Sequence, residues 1–192
     1  MIQGNTPQLQ PTVWRTCRVL SNHVRLRLLG HLLRHPGQTV SEISDTLQLS
    51  VSQTSQALRA LNSRGLLEAK RLSRWVYYRV APDPSIPENT PLIKAIKRTF
   101  EVEGDPERKI FRDATAFTHP RRISIVYILQ RDGSLSFSEI QARTGISRDA
   151  LRRHLHKLED RDLVTQAEGR WRLERPRTPF ANTLLRIITS AK

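Results

Sequence analysis

Residues 41–66 read Ser41-Glu42-Ile43-Ser44-Asp45-Thr46-Leu47-Gln48-Leu49-Ser50-Val51-Ser52-Gln53-Thr54-Ser55-Gln56-Ala57-Leu58-Arg59-Ala60-Leu61-Asn62-Ser63-Arg64-Gly65-Leu66. A short helix over Ser41–Leu47 breaks at Gln48-Leu49-Ser50, and a longer one begins at Ser50. The Ser50 hydroxyl, with Gln53 three residues on, makes a capping box. Thr54, Leu58 and Leu61 recur at helical spacing and give the second helix an inward face. It runs to about Arg64, where Gly65 supplies the left-handed residue that ends it. Two helices across a tight polar break form a helix-turn-helix, and the flanking segments are what the pair packs against.

Upstream, a short helix (Val13–Leu20) precedes a longer one (His23–Arg34). In the longer helix Leu26, Leu29 and Leu33 share a face, with Leu28 and Leu32 beside them, before a polar turn at Pro36-Gly37-Gln38. Downstream, Leu66–Arg71 and Trp75–Val80 read as a hairpin, and Trp75-Val76-Tyr77-Tyr78-Arg79-Val80 alternates as a half-buried strand does. Helix, helix, turn, helix and hairpin together predict a winged helix-turn-helix.

The chain then repeats itself. At an offset of 97 residues Trp14-Arg15 falls on Phe111-Arg112, Arg25-Leu26 on Arg122-Ile123, and Ser41-Glu42-Ile43 on Ser138-Glu139-Ile140. Ser50 falls on Ser147, Leu58 on Leu155 and Leu61 on Leu158. The register slips by one before Arg74-Trp75 meets Arg170-Trp171, and by three more before Asn89-Thr90 meets Asn182-Thr183. The second copy predicts helices at Glu107–Phe117, Pro120–Arg131, Ser138–Arg143 and from Ser147, then a hairpin of Leu163–Ala167 with Arg170–Leu173. Asp162 stands where the first copy has Gly65, and tolerates the left-handed conformation less well.

Residues 1–88 are therefore read as one winged unit and 107–192 as a second with a C-terminal helix. Residues 89–106 are read as a proline-containing linker and connecting helix. Pro82, Pro84, Pro87 and Pro91 keep the approach extended. Leu92, Ile93, Ile96 and Phe100 give the connecting helix an apolar side, and Phe180–Ile188 is its counterpart. The fold class is mainly α with small β-hairpin wings, in tandem.

Asn22-His23-Val24-Arg25-Leu26, Leu47-Gln48-Leu49-Ser50 and Arg74-Trp75-Val76-Tyr77-Tyr78-Arg79 resemble the ArsR-type bacterial regulators. The second copy is similar through Thr118-His119-Pro120-Arg121-Arg122, Ser147 to Leu155, and Arg170-Trp171. The resemblance implies a DNA-binding transcriptional regulator whose last helix packs with the first helix of a partner subunit. With both copies on one chain that pairing is expected to be internal, an internal pseudo-dimer; a homodimer of four winged units stays open. Paired cysteines on the third helix hold metals in many such proteins. Here those positions look to be Thr39 and Ser41, and Ser136 and Ser138, so thiolate metal sensing is not expected.

The predicted DNA-facing residues follow from the helix faces. In the first copy they are Ser52, Gln53, Ser55, Gln56 and Arg59, since Gln pairs with adenine and Arg with guanine or phosphate. In the second they are Arg148, Asp149, Arg152, Arg153 and His156, with His154 at the boundary and Leu151, Leu155 and Leu158 inward. The wings add Lys70, Arg71 and Arg74, and Arg170 and Arg172, for the minor groove or the phosphates. Trp75, Tyr77 and Trp171 read as strand packing, His31 and His35 as exposed helix-end residues, and Cys17 as a small core residue.

Charge agrees with a polyanionic partner. The chain has 32 Lys and Arg against 18 Asp and Glu, a formal net charge of +14. Residues 1–88 carry 11 against 5 and residues 111–192 carry 16 against 9, so both halves are basic. No apolar run is long enough to span a bilayer, Met1-Ile2-Gln3-Gly4-Asn5 does not begin a signal peptide, and a single cysteine fits the cytoplasm. A cytoplasmic, nucleoid-associated protein is expected, with double-stranded DNA as partner, no membrane and no cofactor. No nucleophile with its base and no phosphate loop is present, and an enzyme is not expected. A tandem winged-helix adaptor for protein partners, of the chromosome-segregation type, and a plasmid replication initiator are the other readings.

Overall fold

The computed structural model describes residues 12–190. Residues 1–11, on which the reading of the N-terminus rests, and residues 191–192 lie outside the described residues. The first copy comprises α1 (Thr12–Leu20), α2 (His23–Arg34), α3 (Val40–Leu47), α4 (Val51–Asn62), β1 (Leu67–Leu72), β2 (Trp75–Val80) and α5 (Asn89–Val102). The second comprises α6 (Pro106–Ala116), α7 (Pro120–Asp132), β3 (Leu135–Ser136), α8 (Phe137–Thr144), α9 (Arg148–Glu159), β4 (Val164–Ala167), β5 (Arg170–Leu173) and α10 (Pro179–Ser190).

Side-chain caps explain where most of these helices start. Asn22 accepts from the Arg25 N–H at the head of α2, and Thr39 with Glu42 and Ser136 with Glu139 close capping boxes on α3 and α8. The Thr39 and Ser136 positions thus hold helix ends. Ser50 with Gln53 closes the expected box on α4. Ser147 does not repeat it: no side-chain bond caps α9, where Ala150 stands in the place of Gln53 and has nothing to return. Asp162 adopts the left-handed conformation with φ of 56°, as Gly65 does with 65°. Gly65 has a further reason to lack a side chain. A Cβ there would lie 2.5 Å from Asn89 Nδ2, which donates to the Arg64 and Gly65 carbonyls and so fastens α5 to the end of α4.

The hairpin registers relocate the slip in the repeat. Leu67 pairs with Val80 in the first wing and Val164 with Leu173 in the second, and Gln38 bridges Tyr78 where Leu135 pairs with Trp171. Trp171 is therefore the counterpart of Tyr78, and the Arg74-Trp75 match to Arg170-Trp171 is not structural. The whole difference of four residues sits at the wing tip, which a turn tolerates and a ladder does not. The second wing also gains a third strand, β3, giving the order β3-β5-β4. Two residues are too short to carry a strand pattern in sequence.

Residues 89–106 do more than link. α5 lies against α10, and α6 packs on both α1 and α2, so equivalent elements of the two copies meet and their buried residues form one continuous core. His23 stacks on Phe111 across this contact, with ring centroids 4.1 Å apart. Gly30, in the middle of α2, is what lets Phe100 of α5 approach. An added Cβ would sit 2.5 Å from the Phe100 ring, tighter than packing allows.

Two arginines hold the same internal joint in each copy. Arg25 Nε donates to the Val19 carbonyl at 2.5 Å and Nη2 to Arg18 at 3.3 Å. Arg122, buried at the equivalent place, donates to the Ala116 and Thr115 carbonyls at 2.6 and 3.0 Å and to the Thr118 hydroxyl at 2.5 Å. Hydrogen bonds from a charged group are worth about 1.5–3 kcal/mol each, and here they tie the end of α1 to α2 and of α6 to α7.

At the head of α7 a histidine takes the capping place of Asn22: His119 Nδ1 accepts from the Arg121 N–H at 3.1 Å. That nitrogen must be unprotonated to do so. The His154 ring of α9 packs against it with centroids 4.6 Å apart. Burial, followed by His119, Arg122, Arg121 and Arg153, pushes the His154 pKa down to about 4. Burial and Arg122, Arg121 and Arg18 lower that of His119 too.

Gly30→Ala is expected to destabilise the fold by about 1–3 kcal/mol through the clash with Phe100, despite alanine's better helix propensity. Urea unfolding checks this, and Phe100→Leu in the same chain should recover most of the loss. For His154 the depressed value means that its contribution is whole above the ordinary imidazole value of 6.5 and drains away as pH falls toward 4. Asp113 opposes it: burial raises that carboxyl to about 6, so its contribution is whole below 3.8 and lost as pH rises through 6. His154→Ala, the residue of the first copy, should therefore gain stability relative to the parent between pH 7 and pH 4. Equal midpoints across that range would show that the ring pair is not the cause.

Candidate nucleic-acid interface

α3 and α4 of the first copy, and α8 and α9 of the second, are the two helix-turn-helix pairs. Thr54, Ala57, Leu58 and Leu61 bury one face of α4 against α2 and α3. Ser52, Gln53, Gln56 and Arg59 are exposed on the other, and Ser55 is half-buried at its margin. The cap changes what Gln53 can offer. Its Oε1 accepts from both the Ser50 N–H and the Ser50 hydroxyl at 3.2 Å, so only its NH2 group is left to face a ligand. Gln56 Nε2 donates to Ser52 Oγ at 3.4 Å, and its carbonyl oxygen has no hydrogen-bond partner among the described residues. Val51, at the first position of α4, is 59% exposed and was not among the expected residues. The repeat contained the signal, because Val51 is the counterpart of Arg148.

On α9, Ala150, Leu151, Leu155 and Leu158 are buried, while Arg148, Asp149, Arg152, Arg153 and His156 are exposed. Arg152 lies 3.6 Å from Asp149, an exposed pair of little energetic weight. Arg148 and Arg153 have no carboxylate within ion-pair distance among the described residues. Two of the expected side chains have close neighbours within the protein. His154 is turned into the contact with His119 and is half-buried. His156 belongs to the acidic end of the helix, 3.6 Å from Asp160 and 4.0 Å from Glu159.

The two wings differ as their lengths require. Lys70, Arg71 and Arg74 are exposed on the longer hairpin and have no ion-pair partner among the described residues; Arg74 lies over the Trp75 ring at 5.2 Å. Arg170 of the shorter hairpin folds back, donating to the Ser134 carbonyl at 2.6 Å and pairing with Glu139 at 3.3 Å. Arg172 faces Glu174 at 3.4 Å. Trp171 is buried strand packing, as expected, and Tyr77 is half-buried. Trp75 is not packing: it is 45% exposed near the tip.

The other polar residues singled out in the sequence lie elsewhere. His31 is buried rather than exposed, hydrogen-bonded to Gln38, the residue that bridges the wing at Tyr78. His35 is exposed, with its ring centroid 5.0 Å from that of His31. Cys17 is fully buried, and burial raises its thiol well above the ordinary range, which suits a core residue. Among the described residues no helix is long and apolar enough to cross a membrane.

Comparison with known families reaches both helix-turn-helix pairs. Residues 20–73 match a family model described as the MarR family, and residues 117–167 match one described as a helix-turn-helix domain. The matches begin at Leu20 and Phe117, equivalent positions of the repeat. No curated protein matches the chain. The two matches support a winged helix-turn-helix fold in tandem and a DNA-binding transcriptional regulator, without singling out the ArsR type.

Proposed function

We propose that one chain acts as an asymmetric reader of double-stranded DNA, with α4 and α9 entering successive major grooves and the wings lying on phosphates or the minor groove. The observation that carries this reading is the outer face of α9. Arg148 and Arg153 are exposed and without carboxylate partners in the helix that a helix-turn-helix presents to DNA. Arginines tied into the protein, Arg25 and Arg122, are elsewhere, so the basic face is not surplus charge shed at random.

The copies divide the work. α4 is polar and lightly charged, and offers Val51 to a thymine methyl and Gln56 and Arg59 to base edges or phosphate. Its wing is long and basic. α9 is rich in arginine, while its wing is short and its arginines are engaged with the protein. In this reading the contacts α1 to α6 and α5 to α10 form an internal pseudo-dimer that takes the place of a homodimer interface. The two reading helices then lie about one turn of duplex apart, roughly 34 Å. Because their faces differ, the preferred operator has no inverted repeat. The ArsR-type likeness of the first wing, binding without catalysis or cofactor, and a cytoplasmic, nucleoid-associated location belong to the same reading.

Fluorescence anisotropy with a labelled duplex across a salt series tests it. Affinity should fall steeply with salt, as counterion release requires. Arg148→Ala and Arg153→Ala should each lower the slope of log affinity against log salt by about one. Arg131→Ala, whose side chain pairs with Asp132, should leave it unchanged. An absence of duplex binding at low salt would favour the protein adaptor.

A further inference from the structure

The first wing carries something that the second lacks and that phosphate binding does not require. Between equivalent ladder pairs, Leu67↔Val80 and Val164↔Leu173, it has four more residues, all at the tip. Two extra residues per strand lengthen the hairpin by roughly 6.5 Å. Leu72 and Trp75 are directly paired there, so they project from the same face of the ribbon. That face also carries the Lys70↔Tyr77 and Glu68↔Arg79 pairs. The opposite face begins with Leu67 and Val80, which pack on the core. Leu72 is 50% and Trp75 45% exposed.

A paired leucine and tryptophan held in water at the end of a hairpin is a liability for folding and solubility. Its surroundings say what would cover it. Lys70, Arg71 and Arg74 flank the pair, residues 69–78 contain no Asp or Glu, and the Arg74 guanidinium lies over the Trp75 ring. An apolar tip inside a collar of cations complements a surface with apolar steps between anionic walls. A duplex minor groove has that chemistry.

We propose that Leu72 and Trp75 form a wedge that enters a base step from the minor groove and bends the duplex at the half-site of the first copy. The inference rests on the DNA-reading function above. Other proteins kink DNA by inserting apolar side chains, through about 20–90°. The wedge is single, because the second hairpin ends in Glu168-Gly169 and has no apolar tip. It thus fixes the orientation of an asymmetric chain on its site, placing the first copy over a flexible pyrimidine–purine step.

The test uses the full chain and the tightest-binding duplex recovered from a random pool, labelled at its ends for energy transfer. The wild type should shorten the end-to-end distance on binding. Leu72→Ser with Trp75→Ser should abolish the shortening and weaken binding roughly tenfold, and Trp75→Phe should retain most of both. Both positions are exposed, so the variants should unfold at the parent's midpoint. A duplex bound without bending, or bent equally by the double variant, overturns the wedge and leaves the DNA reading standing. Failure of the wild type to bind any duplex overturns both. Binding to anionic phospholipid vesicles that requires the pair, with duplex affinity indifferent to it, also overturns the wedge.

Discussion

The contact between α5 and α10 is the constraint on which the rest depends. Each winged unit ends in a helix with an apolar side, and α10 lies against α6 and α7 of its own copy as well as against α5. Leu92, Ile93 and Ile96 on one copy and Phe180, Leu184 and Ile188 on the other are buried to 4% exposure or less. Covering these faces with one another removes apolar surface from water at about 25 cal/mol per Å2, and joins two small cores into one. The α1 and α2 contacts with α6 then follow, and Gly30 shows how closely the elements must approach: a single methyl group there meets Phe100. Such a joint holds α4 and α9 in a fixed relation, which a flexible linker between two units would not.

Within that frame arginine has two opposite uses. Arg25 and Arg122 spend their donors on carbonyls at the ends of α1 and α6, and Arg112 bonds Asp162 and the Asp160 carbonyl after α9. Those side chains tie elements of the scaffold to one another. Arg148 and Arg153 have only solvent to donate to among the described residues, and Lys70, Arg71 and Arg74 extend from a hairpin that is mostly exposed. The net charge alone does not separate the groups; the hydrogen bonds do.

Much of the scaffold was legible because its signals are local. α2 spans the expected residues, His23–Arg34, since an Asn22 cap and a leucine period bound it from both ends, and the Ser50 and Gln53 box marks α4. What was missed depends on partners distant in sequence. The Arg-Trp dipeptides at 74 and 170 align by identity, yet only the ladder reveals that they occupy different places. His31 reads as exposed but is covered by the wing through Gln38, and what covers His154, read at the boundary of its helix face, is His119. The repeat carried a clue to both, because their counterparts are Ile128 and Ala57, each buried. Exposure of Trp75 was not legible at all, since a tip residue and a packed strand residue share one alternation.

We propose that a single chain already contains the paired arrangement needed to read a duplex. The mass of its complex with the tightest-binding selected duplex, determined by sedimentation or native mass spectrometry, addresses that most directly. One chain per duplex is expected, with no further mass as protein is added up to twice the duplex concentration. Two chains bound together, with no detectable complex of one, would contradict it.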